Sequence, residues 1–187
     1  SPQTCGMDSG EYCAIWLGPE LPGDQRTDDA LSVLYTSENL ETYCDIVGPP
    51  KVKLRLISDQ PKAQIAVRLN HIHPDGASTR ITYGVLNLCH RIDHSQPQLL
   101  PVAESVDISL FLDQVAYRVP IGHKISLAIS TSYWPLLWPM AEAASLTLLS
   151  GSLELPTRQS GLKDERTFPP PESDLPWEIT YLREPSN

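Results

Sequence analysis

The stretch Ala63 to His90, AQIAVRLNHIHPDGASTRITYGVLNLCH, limits what this chain can fold into more than any other part of it. Its first arm alternates, with Ile65, Val67 and Leu69 on one face and Gln64, Arg68 and Asn70 on the other. A period of two over this length is the pattern of a strand. Pro74-Asp75-Gly76 interrupts it with the chemistry of a tight turn: fixed φ, a side chain that bonds its own backbone, and a residue free to take positive φ. The second arm resumes with Ile81, Tyr83 and Val85, then changes phase to Leu86 and Leu88 after Gly84. A slip of one residue beside a glycine predicts a β-bulge there, and a bent hairpin.

Other segments have the size and period to pack beside this pair. Leu31–Ser37, Glu41–Val47, Lys51–Ser58, Val106–Leu112 and Ile125–Ile129 read as strands, and Leu146–Leu148 and Leu153–Leu155 as two short ones about a turn at Ser150-Gly151. Glu11–Leu17 is a further short candidate, and Trp177, Ile179 and Tyr181 alternate near the end. Pro135 and Pro139 keep Trp134–Pro139 out of a central strand, because proline has no ladder donor. Pro156–Pro176 reads as an extended surface strap. No window of ordinary helix length shows a helical period. Short strands with turn signals between them predict an all-β chain, a β-sandwich or jelly roll, in one domain with its core over about 10–157 and a C-terminal strap and last strand over 158–187.

The balance is acidic, with a formal net charge of −9 and no cluster of Lys and Arg, which argues against a nucleic-acid partner. No apolar run is long enough to span a bilayer, and neither a membrane partner nor a secretory leader is expected, so the expected compartment is the cytoplasm. The first residue is Ser1, which suggests an excised or processed piece. Cys5, Cys13, Cys44 and Cys89 match no zinc spacing. Cys5 and Cys13 could bridge in an oxidising compartment; free thiols are the expectation without a secretion signal.

Catalytic signatures are missing. There is no G-x-S-x-G elbow, no Walker A motif and no G-x-G-x-x-G. Cys89 and His90 are adjacent and on a strand would point apart. His71 and His73 share a face of the first arm, with Asp75 in the following turn, and an H-x-H pair with a carboxylate can ligate zinc. A third and fourth ligand are not evident in the sequence, so no metal and no cofactor is expected, and His123 reads as a structural donor. Trp134, Trp138, Trp16 and Tyr133 are candidate exposed aromatics, able to stack on a sugar or dock on a partner domain, with core burial the equal alternative.

Four blocks in order carry a resemblance: PGDQRTDD at Pro22–Asp29, VGPPKVKLRL at Val47–Leu56, VRLNHIHPDGASTRITYGVLNLCHR at Val67–Arg91, and VPIGHKISLAISTSYWP at Val119–Pro135. The chain resembles the C-terminal non-catalytic domain of the X-Pro dipeptidyl-peptidase and cocaine esterase (CocE/NonD) family of serine hydrolases. The resemblance implies a galactose-binding-domain-like jelly roll appended to an α/β-hydrolase domain of the same parent chain, its partner, which would carry the catalytic triad for acyl bonds. No residue here matches the nucleophile elbow, so no catalytic residue is carried over. It also implies that Ile15 and Trp16 rim the acyl pocket, while Trp134, Trp138 and Tyr133 are expected to dock on the hydrolase domain. An autonomous carbohydrate-binding module and a homo-oligomerisation domain are the alternative readings.

Overall fold

The computed structural model of the protein describes residues 1–11, 21–158 and 169. Among the described residues a one-turn helix α1 (Arg26–Asp29) precedes nine strands: β1 (Val33–Thr36), β2 (Cys44–Gly48), β3 (Lys51–Ser58), β4 (Gln64–Ile72), β5 (Ser78–Asn87), β6 (Ser105–Phe111), β7 (Val115–Val119), β8 (Lys124–Ser130) and β9 (Leu146–Glu154). They form a four-stranded sheet in the order β1-β8-β4-β5, a three-stranded sheet β6-β3-β9 and the pair β2-β7. Every pairing is antiparallel. The chain is thus all-β in its described part, and no helix there is long and apolar enough to cross a membrane.

The period-two residues make the core. Val52, Leu54 and Leu56 of β3, Ile65, Val67 and Leu69 of β4, Ile108 and Leu110 of β6, and Ile125, Leu127 and Ile129 of β8 belong to one buried cluster. Burying such side chains contributes roughly 1.5–3 kcal/mol each, which ties the two larger sheets together. Lys53 and Arg55 stand exposed between the buried residues of β3.

Four features differ from the sequence reading. First, both faces of β4 are buried, including the polar one, because α1 lies against Arg68 and Asn70 and carries the N-terminal segment on its far side. Second, the bulge of the β4–β5 hairpin sits at Ile81, not at Gly84: Leu69 pairs with Thr82 and Asn70 with Arg80, while Gly84 pairs regularly with Val67. Gly84 serves another purpose. A Cβ there would lie 2.8 Å from the Phe111 carbonyl oxygen and 2.9 Å from Leu112 Cδ2, so the missing side chain lets the end of β6 cross closely over β5. Third, Ser150-Gly151 is not a turn. β9 runs through it as one strand with a register shift opposite Arg55/Leu56, and a Cβ at Gly151 would meet Leu54 Cδ2 at 2.6 Å. Fourth, β7 occupies a stretch with no strand assignment from sequence, although Val115, Tyr117 and Val119 alternate there. In its register Arg118 faces Asp45 of β2 and donates from Nε and Nη2 to the Asp45 carboxylate at 2.6 and 2.7 Å.

The expected strands at Glu11–Leu17 and Trp177–Tyr181, and nearly all of the strap, lie outside the described residues. Thr157 forms a bridge with Ile46, so the chain continues past β9 along β2.

Gly84→Ala is expected to destabilise by about 1–3 kcal/mol, the usual cost of overpacking. Urea unfolding should show a lower midpoint with an unchanged slope; a wild-type midpoint would mean that β6 yields freely at the crossing.

Candidate functional site

The polar face of β4 is built around a buried guanidinium. Arg68 is fully buried. Its Nη2 donates to Ser32 Oγ at 2.7 Å and lies 3.1 Å from Asp29 Oδ1, while Nη1 is 3.7 Å from Asp28 Oδ2. The group also stands over the Tyr133 ring, 5.0 Å from its centroid. α1 supplies the two carboxylates from consecutive positions, so they diverge. Asp29 accepts from Asn70 Nδ2 at 2.9 and 3.1 Å and from Ser78 Oγ at 2.7 Å. Burial pushes its carboxyl above the usual range, while Ser78, Arg68 and Asn70 pull it back. Asp28 turns the other way and accepts the backbone N–H groups of Gly6, Met7 and Asp8 at 2.7, 3.1 and 3.0 Å. The block Pro22–Asp29 therefore clamps the first residues of the chain onto the sheet.

This clamp holds the tryptophan segment. Trp134 N–H donates to the Cys5 carbonyl at 2.9 Å, and Gln64 Nε2 donates to the Trp138 carbonyl at 3.1 Å. Gly6, at φ +117°, lies directly on the Trp134 backbone, where any Cβ would collide. With the backbone pinned from below, the rings face outward: Trp134 is 36% exposed and Trp138 78%. Their centroids are 5.4 Å apart with planes at 66°. Tyr133 behaves oppositely and corrects its expected docking role. It is fully buried, its OH donates to Gln25 Oε1 at 3.0 Å and accepts from Arg80 Nη1 at 2.6 Å, so it cannot touch another domain. Ile15 and Trp16 lie outside the described residues.

An apolar cleft of about 650 Å³ opens between the facing edges of the two larger sheets. Tyr35 of β1 and Leu127 of β8 form one wall, Leu148 and Leu153 of β9 form the other, and Leu40 and Cys44 also line it. Among the described residues the lining holds no acid, base or histidine. Its one thiol, Cys44, is pushed up by burial and by the Asp45 charge, which keeps it protonated and poorly nucleophilic. A serine or cysteine without an adjacent base is a weak nucleophile. Cys89 and His90 lie in a short 3-10 turn, where the Cys89 Sγ faces the Pro61 carbonyl at 3.8 Å. Cys5, Cys44 and Cys89 are free thiols, and Cys13 lies outside the described residues.

A separate cluster forms where the β4–β5 turn meets the β7–β8 turn. The register of β4 on β8, with His71 opposite Ile125 and Ile72 opposite Lys124, carries His123 to the pair His71 and His73. His71 Nε2 is 2.6 Å from His123 Nδ1, and His71 Nδ1 is 2.8 Å from the Tyr117 hydroxyl. The His71 and His73 rings stack at 4.0 Å. Burial, then the neighbouring His73 and His123, lowers the His71 pKa to about 4, so the ring is neutral at neutral pH. Sequence reasoning missed this meeting because His123 lies 52 positions from His71. The only hint was that both stand beside turns.

A family profile described as the X-Pro dipeptidyl-peptidase C-terminal non-catalytic domain matches residues 1–172. The chain belongs to this family. Solved structures share the fold of this X-Pro dipeptidyl-peptidase C-terminal domain. An alpha-amino acid ester hydrolase superposes with a TM-score of 0.66 at 19% identity, covering 72% of this chain and 27% of the hydrolase. An aminopeptidase from a marine sediment archaeon, Thaumarchaeota archaeon, gives 0.59 at 21% identity, over 67% of this chain and 22% of that one. A CocE/NonD family hydrolase from Staphylococcus aureus gives 0.60 at 12% identity, over 71% and 31%. The chain thus spans less than a third of the length of these relatives. Comparison with curated protein sequences finds no significant match.

Arg68→Met is expected to destabilise the domain by about 3–5 kcal/mol, because it leaves the buried carboxylates of Asp28 and Asp29 without their cation. Chemical denaturation checks this. A loss below about 1 kcal/mol would show that the carboxylates are satisfied by their hydrogen bonds alone.

Proposed function

We propose that this chain is a galactose-binding-like jelly-roll domain that completes a serine acyl hydrolase, packing on the hydrolase domain of the same parent chain and catalysing nothing alone. The observation that carries the reading is the exposed pair Trp134 and Trp138 on a backbone held by Cys5, Gly6 and Gln64. Large aromatic side chains presented on a rigid support are what a docking surface needs, since little further ordering is required on contact. The family membership supplies the partner's class. The names of the structural relatives point to acyl bonds beside an α-amino acid, in esters and peptides, as the parent's substrates.

The planes of the two rings meet at 66°, so the pair does not make one continuous flat platform for a sugar chain. Ile15 and Trp16 complete the proposal as the part of the domain that rims the acyl pocket, an assignment that follows from the family resemblance.

Two experiments test this reading. The purified chain should not turn over activated esters, while the parent enzyme should do so through its own nucleophile. In the parent, Trp134→Ala with Trp138→Ala should weaken the contact between the two domains by about 2 kcal/mol or more, seen as separate unfolding transitions, with the melting temperature of this domain unchanged. Undiminished coupling between the transitions would remove the tryptophans from the interface.

Ile15→Ala and Trp16→Ala should alter the relative kcat/KM for short and bulky acyl groups by roughly 1–3 kcal/mol per methylene-sized misfit. An equal loss for every substrate would assign both residues to stability instead.

A further inference from the structure

We infer that His71, His73 and His123 form a binding site for a divalent transition-metal ion of the zinc type, joining the β4–β5 turn to the β7–β8 turn. One ring nitrogen from each of the three lies within 4.8 Å of those of the other two. The expectation that this tip holds no metal rests on the want of a third ligand, and His123 is that ligand in space.

The backbone at each position is held. His71 lies in the β4 ladder between β5 and β8. His73 N–H donates to the Ala77 carbonyl at 2.9 Å, and its own carbonyl accepts from Gly76 N–H at 2.9 Å. The His123 carbonyl accepts from Leu40 N–H at 2.8 Å. The rings also have outer partners of the kind that orient metal-bound imidazoles: the Tyr117 hydroxyl at His71 Nδ1, and Thr79 Oγ1 at 2.9 Å from His73 Nε2. Nδ1 of His71 is thereby engaged and Nε2 faces His123.

A tetrahedral ion with nitrogen ligands at about 2.0–2.1 Å sets those nitrogens about 3.3 Å apart. The present spacing of His71 and His123 is 2.6 Å, so binding opens that pair by less than an ångström and draws His73 inward. His73 and His123 are only partly buried, and their rings have room to turn. Among the described residues no fourth protein ligand joins the group, which leaves one coordination position to solvent or to a small anion. Imidazole nitrogen favours Zn²⁺, Ni²⁺ and Cu²⁺ over Mg²⁺ and Ca²⁺, which prefer oxygen.

The test uses the full chain, freed of metal by chelator, with Zn²⁺ alone as the probe. Calorimetry should show one ion per chain, and zinc at a hundredfold its Kd should raise Tm by about 5 °C or more, as mass action on the native state requires. Mg²⁺ should have no such effect. His73→Gln and His123→Gln change partly exposed rings, so each should fold with a Tm close to that of the metal-free wild type and lose the zinc response. Co²⁺ should give the visible bands of a nitrogen-bound tetrahedral ion. No zinc response in the wild type, an unchanged response in either variant, or a cobalt spectrum with thiolate charge-transfer absorption would overturn the site.

Discussion

Arg68 is the residue on which the described structure depends. A guanidinium with no exposure to solvent must be matched by anions, since an unpaired buried charge costs far more than a marginally stable domain can bear. The match comes from α1, a single turn that would have no independent stability. Its two carboxylates flank the cation, and each reaches onward: Asp29 to Asn70 and Ser78 on the hairpin, Asp28 to three successive amides of the N-terminal segment. The short helix and the first residues of the chain are thus held by one buried charge.

That network sets the surface. The amides captured by Asp28 include Gly6, whose lack of a side chain lets the Trp134 backbone lie against it. Tyr133, next in line, turns inward to Gln25 and Arg80. Trp134 and Trp138 are left facing out from a backbone hydrogen-bonded to Cys5 and Gln64. The inward tyrosine and outward tryptophans are consequences of one polar core beneath them. The apolar cleft between the sheet edges brings Cys44 and serines of β9 into its wall, with no acid, base or histidine beside them among the described residues.

Much of this was legible beforehand because strands write their period into sequence. The limits of β3 match its alternation residue for residue, β6 and β8 fall within one residue of the predicted segments, and β5 begins at Ser78, three residues before the predicted resumption at Ile81. The failures have local causes. Gly84 and Gly151 look like bulge and turn signals, but each is small because something crosses it, and a crossing partner leaves no mark on the adjacent sequence. Tyr133 resembles its aromatic neighbours in composition and differs from them only in what lies beside its hydroxyl. The block Pro22–Asp29 marks the family, yet nothing in its spacing shows that Asp28 and Asp29 straddle an arginine on a strand far along the chain.

The sequence by itself determined that the chain is all-β, which residues alternate into its core, where its hairpin turns, and to which family it belongs. These follow from period, turn chemistry and ordered motifs, all local properties of the chain. Only the tertiary structure decided that the polar face of β4 is interior, that Trp134 and Trp138 face solvent while Tyr133 does not, and that three histidines meet at one tip. Those outcomes depend on register between strands distant in sequence and on the pairing of buried charges, and both exist only once the sheets have assembled.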